Sequence, residues 1–212
     1  MVASVCVVGV GMTPFAKPGA HEPYPVMAAA AVRDALTDAG LVYADMQQAY
    51  VGYVYGDSTA GQGAVYGLGM SGIPVINVNN NGSTGSTALF LARQAVASGA
   101  ADCVLVLGFE HMNPGALGAV FKDRPSPFDR FDEATAELVG RDDIPLALRY
   151  FGGAGLAHMQ QYGTKLETFA AIRAKASRHA AHNPLALLRK ALTTEDVMAA
   201  PMLWDGVMTR LM

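Results

Sequence analysis

Cysteine is scarce in this chain. Only two occur in 212 residues, Cys6 and Cys103, far apart and each inside an apolar run (SVCVVGVG and ADCVLVLG), which excludes a disulfide scaffold or a cysteine-built metal centre. Both are expected to be buried, inert thiols. Charge is thin too: charged residues make up 16% of the chain, the net charge is −3, and no Lys/Arg-rich run occurs. Such a surface offers no basic field to a phosphate backbone, so nucleic acid is not an expected partner. Long apolar runs are missing as well. The start, MVASVCVVGVGM, lacks a charged leading region and is broken by Gly9 and Gly11, unlike a secretory leader, and no uninterrupted apolar stretch is long enough to cross a bilayer. A reducing, cytoplasm-like compartment is the expectation.

What is plentiful is hydrophobic residue, at 51%, distributed in short runs that suit a globular core. Short β-branched runs alternate with alanine-rich amphipathic stretches, the pattern of βαβ units feeding a largely parallel sheet. Strands are expected at 5–10, 49–55, 73–78 and 103–107. A helix is expected over 26–38, with Val26, Ala29, Ala30, Val32 and Leu36 inward and Gly40 ending it. Another is expected over 83–98, closed by Gly99. From Glu110 onward Gly, Pro and charged residues crowd together and periodicity fades, which reads as an excursion from the sheet. Helical texture returns after Thr164, where Thr164 and Glu167 have capping-box spacing and Leu166, Phe169, Ile172 and Ala176 form a stripe. Thr193 and Asp196 repeat the capping spacing. The ending TRLM lies in an apolar run and reads as a truncation.

Chemistry concentrates in INVNNNGSTGSTALFLARQ, where a strand passes through three asparagines and Gly82 into a helix. Such a junction aims unpaired N–H groups at whatever sits there, and a cysteine at that helix start would have its thiolate stabilised. On local chemistry alone, the segment reads as a glycine-rich turn with Ser/Thr caps. His179 and His182, beside Arg178, suit a helix C-terminus, where cationic side chains are favourable.

Longer segments carry a resemblance: VVGVGMTPFAKPG, then YVGYVYGDSTAGQGAVYGLGMSGIPVINVNNNGSTGSTALFLARQ, then GFEHM, AHMQQYGTK, and EDVMAAPML. Together these resemble the N-terminal half of thiolases of the sterol-carrier-protein-2 type. The resemblance implies a thiolase-like α/β fold, one half with a mixed sheet and helices on both faces, comprising a core over 1–109 and a mainly helical loop domain over 110–212. It implies an acyltransferase ancestry in lipid metabolism, with a coenzyme A thioester as substrate rather than any bound cofactor, and no metal. The family's nucleophilic cysteine falls at Gly82, so thiolysis by this chain is not expected. His111, Met112, His158 and Met159 fall where the family's loop region covers the acyl-CoA, and are expected substrate contacts. A homodimer is implied, and for cysteine-free relatives of retro-aldol type an accompanying small acyl-CoA-binding protein. A non-catalytic acyl-CoA or lipid-binding module is the remaining reading. The family's second-half motifs are not found in these residues.

Overall fold

The computed structural model describes residues 4–112, 121–140 and 144–212. The chain divides into two compact units, Met1–Val120 and Phe121–Met212.

The first unit is built on a three-stranded parallel sheet. Helix α1 (Tyr24–Ala39) starts with proline in its first turn and ends at Gly40, whose φ of 67° is left-handed, a conformation glycine adopts without a Cβ penalty. Then follow β1 (Gln48–Gly52), α2 (Ala60–Tyr66), β2 (Val75–Val78), α3 (Thr84–Ala97) and β3 (Val104–Gly108). The sheet order is β2-β1-β3. In β1, Ala49 and Val51 are fully buried; they share a face with Leu105 and Leu107 through the pairings Ala49↔Leu105 and Val51↔Leu107. Against that face pack Ala28 and Val32 of α1 and Ala60, Ala64 and Val65 of α2. Gly52, one residue out of phase with Val51 and hence on the opposite face, meets Thr84 of α3. Helices therefore cover both faces of the sheet, α1 and α2 on one and α3 on the other.

Two expectations fail here. Residues 5–10 belong to no strand; Val7, Val8 and Val10 are 71%, 61% and 69% exposed. Their β-branched composition is that of a strand, but among the described residues no neighbour pairs with them. The segment lies against α1 because Gly9 and Gly11 permit it: a Cβ at Gly9 would come within 2.7 Å of the Ala39 Cβ. Val10 donates its N–H to Asp38 at 2.9 Å. Val26, expected inward, is 53% exposed, while its neighbours Ala28 and Ala29 are buried. The short α2 was not anticipated from the sequence, its residues being too few for a period to show.

The second unit contains α4 (Asp129–Val139), α5 (Leu146–Tyr162), α6 (Leu166–Ala181), α7 (Thr194–Met198) and an antiparallel pair, β4 (Met202–Trp204) with β5 (Met208–Thr209). Both α4 and α5 lie where residue patterning suggested an irregular excursion, in the region the resemblance implied to be mainly helical. Glycine in α5 serves packing: a Cβ at Gly152 would strike the Trp204 ring at 2.7 Å, and one at Gly153 would meet Val139 at 2.8 Å. The Thr164–Glu167 box does not form; α6 starts after Lys165 with no side-chain cap, and the Thr164 hydroxyl instead meets His158 Nδ1 at 3.0 Å. The inward face of α6 is Ala170, Ala174 and Ser177, with Ile172 60% exposed. The Thr193–Asp196 box does form, with both reciprocal bonds. The anticipated closing residues of α3 are also in place, with Gly99 left-handed at φ 76°.

Candidate functional site

The junction between β2 and α3 is held by hydroxyls. Thr84 Oγ1 accepts the Asn80 N–H at 2.8 Å and donates to the Asn81 carbonyl at 2.6 Å. Ser83 Oγ donates to the Asn80 carbonyl at 2.9 Å, and Asn80 Nδ2 donates to Thr87 Oγ1 at 3.0 Å. These bonds close a tight turn in which Asn81 takes a left-handed φ of 48°, a conformation asparagine tolerates better than most residues. Ser83 is the N-cap residue of α3 but forms no side-chain cap bond, contrary to the capping expected of it. Gly82 sits on the outside of this turn, exposed.

Facing the turn is the loop after β1, pinned to the loop after β3 by one carboxylate. Glu110 accepts N–H bonds from Val54 at 3.0 Å and Tyr55 at 3.1 Å, and from His111 at 3.2 Å. Together the three segments bound a cavity of about 320 Å3 lined by Gly82, Gly85, Gly108, Tyr53, Tyr55 and Phe109, among others. It lies at the C-terminal ends of parallel strands and beside the first turn of a helix, where open sheets of this kind bind ligands. Glu110 belongs to the GFEHM segment, and the sequence signal it offers is its position soon after an apolar strand.

The anticipated contact residues separate. Gly82 lines the 320 Å3 cavity, whereas Met112 lines a larger cavity of about 610 Å3 between residues 7–16, α1 and β3. His111 meets His21 edge-on, with ring centroids 4.5 Å apart. His21 points Nδ1 to the Glu22 carbonyl at 3.1 Å, while its buried Nε2 has no partner among the described residues. His158 and Met159 lie on α5 in the second unit. There the exposed His158 ring sits 4.7 Å from Tyr162, and the Met159 carbonyl accepts the Gly163 N–H that closes the helix. His179 lies in the last turn of α6 and His182 at its C-cap, the positions expected of them.

Neither cysteine lines the cavity beside Gly82. Cys6 is exposed rather than buried as expected, because its segment has no strand neighbour. Cys103 is half-buried, its thiol pushed up by burial and, secondarily, by the charge of Asp45, which opposes thiolate formation. Among the described residues no group of three or more His, Cys, Asp or Glu is placed to hold a metal ion.

The fold and the turn at Gly82 define a class: an α/β half-fold whose parallel strands deliver a tight turn to the start of a central helix. The N-terminal domain of thiolase matches residues 5–122, more than half of the chain; the chain belongs to the thiolase family. It is 50% identical over 204 residues to sterol carrier protein 2 of Oryctolagus cuniculus, covering 95% of this chain and 37% of that protein. It is 33% identical to the benzoylsuccinyl-CoA thiolase subunit BbsB of Thauera aromatica, covering 92% of this chain and 48% of that one. The Ltp2-ChsH2(DUF35) aldolase shares the fold, with a TM-score of 0.72 at 23% identity over 96% of this chain and 50% of that one. The chain thus spans half or less of the length of these proteins.

Proposed function

We propose that this chain supplies the N-terminal, substrate-facing half of a thiolase-family protein of the sterol-carrier-protein-2 type, acting on acyl-CoA thioesters, and that it does not carry out thiolysis. The observation that carries this reading is Gly82, which occupies the outer corner of the turn at the start of α3 and presents no side chain to the cavity. Thiolysis of a 3-oxoacyl-CoA needs a thiolate to add to the keto carbonyl, a base to prepare it and donors to hold the oxyanion. The turn offers N–H groups and a helix start, but no sulfur. In this reading the substrate is an acyl-CoA, two copies of the chain associate as a dimer, and the location is cytoplasmic; no helix among the described residues is long and apolar enough to cross a membrane.

The same glycine favours a second reading. Retro-aldol cleavage of a CoA thioester needs a general base and an enolate-stabilising pocket but no thiol, and an empty corner at position 82 is compatible with it.

The test is a turnover assay on the 212-residue chain with 3-oxoacyl-CoA and free CoA, beside Gly82→Cys. Neither is expected to release acetyl-CoA or to form an acyl-enzyme visible by intact mass. Acetyl-CoA release from 3-oxoacyl-CoA and free CoA by the unaltered chain overturns the proposal. Release of a free aldehyde or ketone from a 3-hydroxyacyl-CoA selects the retro-aldol reading instead.

A further inference from the structure

Four glycines line the 320 Å3 cavity: Gly52 at the end of β1, Gly108 at the end of β3, and Gly82 and Gly85 at the start of α3. None of the four is among the residues with positive φ, so the backbone at each would accept a side chain. At Gly52 the reason for glycine is packing, since a Cβ there would lie 2.8 Å from Thr84 Cγ2. At Gly82, Gly85 and Gly108, all exposed, no such contact exists among the described residues: an added Cβ meets nothing within 4 Å. Gly85 lies in the first turn of α3. Three glycines required by neither conformation nor packing, all bordering one cavity, keep volume open there.

We propose that Gly82, Gly85 and Gly108 are specificity-determining residues that set the bulk of the acyl group the cavity admits. This rests on the acyl-CoA reading above. The part of the ligand involved is the acyl end, not the nucleotide end. The cavity lining contains no Lys or Arg to meet phosphate, and both oxygens of Glu110 already accept backbone N–H groups. What remains is peptide backbone, the uncharged side chains of Val54, Asn81 and Thr84, and the rings of Tyr53, Tyr55 and Phe109, surfaces suited to an uncharged group.

The experiment measures binding of acetyl-CoA and of pivaloyl-CoA, a compact and a bulky probe, to the unaltered chain and to Gly85→Ala, Gly108→Ala and Gly82→Val by calorimetry. Melting temperature is recorded alongside. The unaltered chain should bind both probes. Each variant should weaken pivaloyl-CoA at least tenfold more than acetyl-CoA while keeping the parent's melting temperature, which separates lost room from lost structure. Equal changes for the two probes, or none, overturn the assignment of these glycines while leaving the acyl-CoA reading intact. Failure of the unaltered chain to bind either probe overturns the acyl-CoA reading and this inference together.

Discussion

Cys103 and Cys6 stand in similar sequence surroundings, yet only one of them is sheltered. Cys103 immediately precedes β3 and lies 4.0 Å from Met46 Sδ; burial and the nearby Asp45 carboxylate both push its thiol up. Cys6 belongs to a segment that pairs with no strand and is exposed. A thiol reagent attacks thiolate and needs access. One thiol per chain, Cys6, should therefore react promptly with Ellman's reagent under native conditions, and the half-buried Cys103 more slowly. Peptide mapping after a short alkylation checks this, and prompt labelling of Cys103 would contradict its placement. At this scale the sequence was legible where a residue's role is local. Gly40, and the turn around Gly82, follow from chemistry within a few neighbours. Glu110 was not legible, because the N–H groups of Val54 and Tyr55 that define its role come from a loop more than fifty residues away.

Among the elements, α7 shows a local signal that survives into the fold. Thr193 Oγ1 accepts the Asp196 N–H at 3.0 Å, and Asp196 accepts the Thr193 N–H at 2.9 Å. The bond from the Thr193 backbone N–H, above all, holds the Asp196 carboxyl below the usual carboxylate range, with smaller help from the Thr193 hydroxyl and the charge of Lys190. A carboxyl depressed on folding contributes stability that is fully present above its unfolded pKa and is lost as pH falls through its lowered folded value. The melting temperature should thus fall on acidification, and Asp196→Asn should fall less over the same range. Superimposable profiles would dismiss this contribution. At neutral pH, Thr193→Ala should cost about 1 kcal/mol, the usual effect of removing a cap. The Thr164–Glu167 pair has the same spacing and forms no box, because Thr164 turns to His158. Spacing alone does not reveal a competing partner across the α5–α6 corner. Helices α4 and α5 were hidden for a related reason: glycines such as Gly152 and Gly153 look like loop punctuation, while in the fold they admit Trp204 and Val139.

On the scale of the whole molecule, the sheet has two open edges among the described residues. The strand order leaves β2 paired only with β1 on one side and β3 paired only with β1 on the other. Alternating runs made each strand legible, but the order β2-β1-β3 and the failure of residues 5–10 to join depend on non-local pairing. That segment lies across from β3, and between them are cavities of about 610 and 360 Å3 lined by residues of both. Unpaired strand edges flanked by apolar side chains invite association. Leu89 and Phe90, 51% and 56% exposed, extend the apolar surface along α3. The 212-residue chain is accordingly expected to bind anilinonaphthalenesulfonate, to sediment as a dimer or larger at micromolar concentration, and to aggregate on mild heating. Lengthening the chain with the polypeptide that follows the matched region in sterol carrier protein 2 should abolish dye binding if an extended strand fills the space beside β3. Lysine in place of Val7 or Val8 should reduce aggregation without lowering the melting temperature, since those side chains already face solvent. A monomeric chain that melts cooperatively and binds no dye would show instead that both edges are satisfied as they stand. That outcome would also shift the functional reading toward a self-sufficient acyl-CoA-binding module.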